Sequence, residues 1–208
     1  MTSKIAFVTG RWFNVTIAQP IIDTMERRGY ECVLYEKAGP AFEDLVRIPY
    51  TLIGMDAWIP LPAKHLKYKD FPELLQAVER DTRILGGGYG WISVEMIKRI
   101  RGDSANRETP ILTFGMFDSY SDPEAFSRGH ADFFPEHHTR DGGATDYVRL
   151  DKIKDENALY SRLEALAQGE KPAPWNSERF WQVYLNLEST PYNRLQSALE
   201  EARISIKE

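Results

Sequence analysis

The stretch "ISVEMIKRIRGDSANRETPILTFG", residues 92–115, has the pattern of a helix that leads into a buried strand. "RGDSANRE" is a polar loop, and "PILTFG" is a short apolar run whose first position suits Pro110, because no ladder hydrogen bond is lost there. We therefore expect a helix over 92–101 and a central strand over 110–115, with any chemistry at the carboxyl end of that strand. The apolar residues that mark one face of the helix are Ile92, Met96, Ile97 and Ile100.

The same alternation of strand and helix extends through most of the chain. Its β-α-β order implies parallel strands joined by right-handed crossovers. Five such units predict an α/β fold with a doubly wound, five-stranded parallel sheet of the flavodoxin-like or Rossmann-like kind. The predicted strands span residues 4–10, 30–36, 56–62, 110–115 and 145–150, and the predicted helices span 16–29, 41–48, 92–101, 122–129 and 156–168.

Two regions depart from this alternation and set the expected domain limits. Residues 63–91 read as an insertion with an extra helix and the glycine-rich turn "LGGGYGW". Residues 169–208 read as a helical C-terminal extension that follows an α/β domain over 1–168. The extension carries Phe180, Trp181 and Tyr184 on one face, which would pack back on the domain or form a surface for a partner or a second copy.

Composition narrows the classes of partner. The 208 residues include 26 Lys and Arg against 31 Asp and Glu, a net charge of -5, so nucleic acid is an unlikely partner. No apolar run approaches the ~20 residues of a membrane span, and no export signal is evident. Cys32 is the single cysteine, which excludes an intrachain disulfide and is typical of a reducing compartment. We therefore expect a cytoplasmic protein that does not bind a membrane.

The order of motifs in the second half resembles that of a known family. "ISVEMIKRIR", "TPILTFG", "DPEAFSRG" and "GATDYVRLDK" are similar, in that order, to the third helix, fourth strand, fourth helix and fifth strand of response-regulator receiver domains, the CheY-like family. "MERRGYECVLYEKAGPAFEDLVR" resembles the family's first helix, second strand and second helix. The resemblance covers about residues 4–168 and implies a signalling module that acts through protein partners.

The resemblance also implies site residues, and the chain departs from them. Thr113 would stand for the family's switching hydroxyl, and Lys152 lies close to the position of its phosphate-binding lysine. After the first strand, where receivers carry acidic residues that hold Mg²⁺, the chain has "TGRW". With a third strand over 56–62, Asp56 would begin that strand, roughly 20 Å from the position of a phosphoacceptor. These departures predict a degenerate receiver that lacks both the acidic pocket and the phosphoacceptor and is not switched by aspartyl phosphate.

An enzymatic interpretation remains open. In nucleoside deoxyribosyltransferase-like and related N-glycosidase folds, a glycine-containing loop leads into a helix that bears a nucleophilic glutamate, and Glu95 in "GGGYGWISVE" has that placement. Arg11, Trp12 and Asn14 would then bind the base or sugar of a small-molecule substrate. A glutamate in the first turn of a helix is also favoured by the helix dipole alone.

No cofactor or metal is expected. The segment "GHADFFPEHHTRDGG" gathers ligand-capable side chains, and its metal candidates are His130, His137 and His138, with Asp132 and Asp141 nearby in sequence. Their spacing matches no finger or zincin pattern, and histidines in a loop are more often solvated.

Overall fold

The computed structural model describes residues 3–57, 59, 92–115, 139–150, 153–172 and 174–176, and five further positions at 178, 179, 182, 197 and 201. The described core is a five-stranded sheet with the strand order β2-β1-β3-β4-β5, and every neighbouring pair is parallel. The predicted fold class is thereby confirmed. The strands are β1 (Lys4–Val8), β2 (Glu31–Tyr35), β3 (Leu52–Asp56), β4 (Ile111–Gly115) and β5 (Asp146–Arg149). The helices are α1 (Val15–Arg27), α2 (Ala38–Arg47), α3 (Ile92–Arg101) and α4 (Glu156–Ala167).

Helices cover both faces of the sheet. One core lies between the sheet and helices α2 and α3, and it includes Leu45, Met55 and Ile97. The other core lies between the sheet and helices α1 and α4, and it includes Phe7, Met25 and Leu163. Because the central strands are buried on both faces, they form nearly continuous apolar runs with no alternation. None of the described helices is long and apolar enough to cross a membrane.

The third strand lies earlier in the chain than the sequence pattern suggested. The prediction placed it over residues 56–62, whereas β3 spans Leu52–Asp56 and pairs with β1 and β4. The prediction that Asp56 begins the strand is therefore wrong, because Asp56 is the last residue of β3. Gly54 lies in the middle of the strand, where a Cβ would meet the Phe7 ring at 2.8 Å.

Buried polar side chains form hydrogen bonds and ion pairs at the amino ends of the strands. Asn106 is fully buried and donates to the carbonyls of Leu45 and Ile48, while its own carbonyl oxygen accepts the Tyr50 N–H at 2.7 Å. These contacts join the end of α2 to the loop between α3 and β4. Asp146, at the start of β5, is buried between the guanidinium groups of Arg140 and Arg162.

Strand β2 forms one edge of the sheet and carries the single cysteine. Cys32 is partly buried and packs against the core between the sheet and helices α1 and α4. Burial, with the nearby charges of Glu26 and Glu31 as smaller contributions, raises the pKa of its thiol to about 12. The Cys32 thiol is therefore protonated at neutral pH.

The chain after α4 returns to the domain. The Trp175 indole N–H donates to Asp141 Oδ1 at 3.2 Å, and the Arg140 guanidinium lies 5.0 Å from the centre of the Trp175 ring. The aromatic residues Phe180, Trp181 and Tyr184 lie outside the described residues. So do the whole of the predicted insertion at 63–91 and the predicted helix at 122–129.

Candidate functional site

The strand order defines where a site belongs in this fold. The chain leaves β1 toward β2 on one side and then continues from β3 toward β5 on the other. In open α/β sheets, ligands bind in the crevice that forms at such a switch point, beyond the carboxyl ends of the strands. Here that crevice lies between the loop after β1 and the end of β3.

Asp56 is the acidic residue at this position. Its side chain is fully buried, and its Oδ2 atom accepts the backbone N–H groups of Trp12 and Phe13, each at 2.6 Å. Short hydrogen bonds from two amides to one carboxylate oxygen are charge-assisted and strong. The carboxylate thus fixes the loop between β1 and α1 against the end of β3.

Packing against the aromatic core also fixes the loop between β1 and α1. Phe13 is fully buried, and its ring stacks on Phe114 of β4 with centroids 4.2 Å apart and planes 13° apart. Asn14 caps helix α1, because its Oδ1 accepts the Ile17 N–H at 3.2 Å. Packing and capping therefore set the course of this loop together with Asp56.

The three loop residues predicted to bind a ligand lie at the switch point, as their place after β1 requires. Arg11 is exposed, and its guanidinium lies 4.6 Å from the centre of the Trp12 ring. Asn14 is also exposed, but its side-chain oxygen is engaged in the cap of α1. Ligand binding by Arg11, Trp12 and Asn14 stays a prediction.

Helix α3 begins beside the end of β3. The Ser93 hydroxyl donates to the carbonyl oxygen of Ala57 at 2.5 Å, which fastens the first turn of α3 next to the residue that follows Asp56. Glu95 lies in that first turn and forms an ion pair with Lys98 at 3.1 Å. The role of Glu95 as a nucleophile stays a prediction.

Thr113 lies in the middle of β4 rather than at its end. It is fully buried, and its hydroxyl contacts the Thr139 hydroxyl at 3.1 Å and the Asp146 carbonyl at 3.2 Å. The resemblance to receivers implies a switching hydroxyl at the end of the fourth strand, and Thr113 does not have that position because β4 continues to Gly115. A hydroxyl in this position packs the sheet against neighbouring elements and does not face an open strand end.

The last residue of β4 is a glycine for a steric reason. A Cβ on Gly115 would overlap the hydroxyl oxygen of Tyr147 and would lie 3.0 Å from its Cζ atom. Tyr147 is buried on the neighbouring strand β5. The Tyr147 side chain therefore occupies the volume that any side chain at position 115 would need.

The remaining predicted site residues cannot be placed. Lys152, His130, His137 and His138 lie outside the described residues. Within the described ranges, no group of three His, Cys, Asp or Glu side chains is arranged to hold a metal ion.

The described residues around Asp56 do not fit the magnesium ion that a receiver pocket implies. Mg²⁺ needs carboxylate oxygens and several waters in octahedral geometry. The loop beside Asp56 runs Thr9, Gly10, Arg11, Trp12, Phe13 and so adds a cation and no carboxylate. The Oδ2 atom of Asp56 already accepts two N–H groups, and the side chain is closed to solvent.

Several solved structures of receiver domains and response regulators are similar to this chain. A CheY-like receiver domain from Methanospirillum hungatei matches with a TM-score of 0.50 and 13% identity, over 82% of this chain and 97% of that chain. A LuxR-family two-component response regulator from Aurantimonas matches at 0.48 and 21%, over 82% and 89%. The receiver domain of a Pseudomonas aeruginosa sensor histidine kinase, with magnesium coordinated in its active-site cleft, matches at 0.48 and 16%, over 81% and 100%.

The strand order β2-β1-β3-β4-β5 and the match at a TM-score of 0.50 give the chain the flavodoxin-like, CheY-like α/β fold. No protein-family model matches the chain. No curated protein matches it either.

Sequence reasoning missed the central residue of the site. It assigned no carboxylate to the end of the third strand, and the structure places Asp56 there. The available signal was the run "LIGMD", residues 52–56, an apolar segment that ends in a carboxylate. The lack of an acidic residue directly after β1, by contrast, is visible in "TGRW" itself.

Proposed function

We propose that the chain is a receiver-like signalling module that acts by docking to a protein partner and is not switched by aspartyl phosphate. The observation that carries this proposal is the state of Asp56, which is fully buried and bound through Oδ2 to two backbone amides. The CheY-like fold supports the proposal of a receiver-like module. The proposal that aspartyl phosphate does not switch this module rests on the chemistry of the Asp56 carboxylate.

Phosphorylation of an aspartate needs two things that this site lacks among its described residues. A carboxylate oxygen must reach the phosphorus atom in line with the leaving group, and a divalent cation must neutralise the oxygens of the transferring group. A buried Asp56 that holds the Trp12 and Phe13 amides would have to give up those bonds before it could attack. The cost of freeing and exposing it, together with the missing acidic metal ligands, opposes the reaction.

The side chains of the loop after β1 indicate which class of partner binds at the switch point. Arg11 presents an exposed cation and Trp12 a partly buried ring, and the two side chains are in contact. Both lie on the loop that is hydrogen-bonded to Asp56. Arginine and tryptophan are enriched in the energetic centres of protein interfaces, and a preorganised loop loses less entropy on binding. A protein partner or self-association is therefore the proposed mode of action, and cytoplasmic location belongs to the same proposal.

The decisive experiment is phosphorylation with a small donor. Purified protein is incubated with acetyl phosphate and Mg²⁺, and its intact mass is then measured by mass spectrometry on samples kept at low temperature. A receiver domain that can be phosphorylated is treated identically as the positive control. We expect the mass of this protein to stay unchanged while the control gains one phosphoryl group.

A gain of one phosphoryl group that disappears in Asp56→Asn would refute the proposal. That result would mean that the loop opens readily and that Asp56 is a working acceptor. Modification that survives in Asp56→Asn would place the phosphoryl group on another residue and would exclude Asp56 as the acceptor.

A further inference from the structure

A cleft of about 580 Å³ lies at the amino edge of the sheet, opposite the edge that carries Asp56. It is bounded by the end of α3, the loops that lead into β4 and β5, and the segment after α4. Its volume lies within the range of small-molecule sites. The cleft is independent of the site described above and of the function proposed for it.

Arg101 gives this cleft its electrostatic character. Its guanidinium donates to the carbonyls of Gly143, Arg107 and Thr109 at 2.7–2.8 Å and to the Thr145 hydroxyl at 3.1 Å. All of these acceptors are neutral, and among the described residues no ion pair involves Arg101. A partly buried charge that is hydrogen-bonded but not neutralised creates a positive potential toward the nearest open volume.

The pKa of Arg101 reflects the same situation. Burial lowers the pKa of its guanidinium, and the negative charge of Glu108 only partly opposes this effect. An arginine remains protonated in spite of such a shift. A negative group bound in the cleft would offset the cost of burying the Arg101 charge by Coulomb attraction.

The other walls favour an anion with a flat apolar part. Arg107 and Lys171 add two exposed cations, and Pro110 and Trp175 add rigid apolar surface. Glu108 and Glu170 also line the cleft, and Glu108 lies 3.6 Å from the Arg107 Nε atom. Water and salt screen these exposed charges of both signs, so the less accessible charge of Arg101 sets the sign of the potential in the cleft. The guanidinium of Arg140 is already paired with Asp146 at 3.0 Å.

We propose that this cleft binds a small organic anion, in which a carboxylate or phosphate group faces Arg101, Arg107 and Lys171 and a flat ring lies against Trp175 and Pro110. Carboxylate and phosphate both present negative oxygens that the exposed Arg107 and Lys171 side chains can bind by charge-assisted hydrogen bonds. Arg101 contributes its positive charge, because most of its N–H groups already donate to the protein. A ligand of this kind has no contact with Asp56.

The test is a titration of the full chain, labelled with ¹⁵N, with two matched pairs of probes: benzoate against benzamide, and adenosine monophosphate against adenosine. The indole N–H signal of Trp175 is assigned by its loss in Trp175→Phe, since the chain has five tryptophans. We expect a saturable shift of this signal with at least one anion and none with its neutral counterpart. The pair that responds distinguishes a carboxylate site from a phosphate site.

Variants tie the response to the cleft. The double variant Arg107→Gln with Lys171→Gln is expected to weaken binding at least tenfold. The control is Lys37→Gln with Arg47→Gln, which removes the same charge at two exposed positions, the N-cap and the last residue of α2, and is expected to leave binding unchanged. The proposal is overturned if neither anion gives a saturable shift at millimolar concentration. Equal binding of the neutral probes, or equal weakening by both double variants, would overturn it as well.

Discussion

At Asp56 a single carboxylate joins two parts of the chain that are more than forty residues apart. Two N–H donors converge on one oxygen, so the side chain acts as an anchor for the loop after β1. The same residue, at the end of β3, is where the resemblance to receivers places a phosphoacceptor. Its effect on stability distinguishes an anchor from a reactive group.

We expect Asp56→Asn to lower the free energy of unfolding by about 1–3 kcal/mol, because hydrogen bonds to a charged acceptor are lost or weakened. The measurement is urea denaturation at neutral pH. Asp103→Asn serves as the matched control, since Asp103 is exposed, and it should change stability by less than about 0.5 kcal/mol. Unchanged or increased stability in Asp56→Asn would indicate a carboxylate that is strained for function, as in sites where activity is maintained at the expense of stability.

Glu95 tests the enzymatic alternative at the same scale. Release of free base from a panel of nucleosides and nucleotides is compared between the wild type and Glu95→Gln. We expect no turnover in either protein and a nearly unchanged melting temperature, because Glu95 is paired with Lys98 in the first turn of α3. Turnover by the wild type that vanishes in the variant would instead establish Glu95 as a nucleophile, since its loss would cost orders of magnitude in rate.

Among the elements, β3 separates what the sequence could predict from what it could not. Helices such as α1 and α3 follow from their apolar spacing, and β1, β2, β4 and β5 follow from short apolar runs between polar loops. Strand β3 carries Gly54 and Asp56, which weaken the strand signal of "LIGMD" although both are required by long-range contacts. Tertiary packing against Phe7 and bonding to the loop after β1 override local propensity there.

The pair of strands β4 and β5 gives a second prediction at this scale. We expect Gly115→Ala to destabilise the protein by about 1–3 kcal/mol, because its Cβ would overlap the Tyr147 hydroxyl. In a Tyr147→Phe background the same substitution should cost clearly less, since the hydroxyl is absent and the ring can shift slightly. Thermal denaturation of the four proteins measures this coupling.

Gly39→Ala is the control for the glycine substitution itself. Gly39 lies in helix α2, and a Cβ added there would have no neighbouring atom within 4 Å, so the change should be neutral or stabilising by up to about 1 kcal/mol. If Gly115→Ala cost the same with and without the Tyr147 hydroxyl, the steric explanation for Gly115 would be wrong.

At the scale of the whole molecule, the described part of the segment after α4 packs against the domain. Its described part contacts the domain through Trp175, which bonds Asp141 and lies against Arg140. The sequence predicted a boundary at 168–169, and Gly169 adopts a positive φ of 87° directly after α4, which suits the end of a helix. The chain turns there without leaving the domain.

Truncation after residue 168 is expected to lower the melting temperature or to dissociate an oligomer. Loss of the Trp175 contacts alone should cost about 1 kcal/mol, or roughly 2–4 °C for a chain of this size. Differential scanning calorimetry and sedimentation velocity measure the two effects, and Trp175→Ala in the full chain isolates the first. A truncated protein that kept both its melting temperature and its sedimentation coefficient would show that residues 169–208 are independent of the domain.

The single thiol on edge strand β2 offers a chemical probe of how this sheet opens. Because burial raises the pKa of Cys32 to about 12, very little of the folded protein carries a thiolate at pH 8, so alkylation from the native state is slow. A molecule whose edge has separated from α1 regains an ordinary thiol and reacts much faster. The rate of labelling by iodoacetamide therefore reports the opening of one edge of the sheet, with one reactive atom per chain and no engineered label.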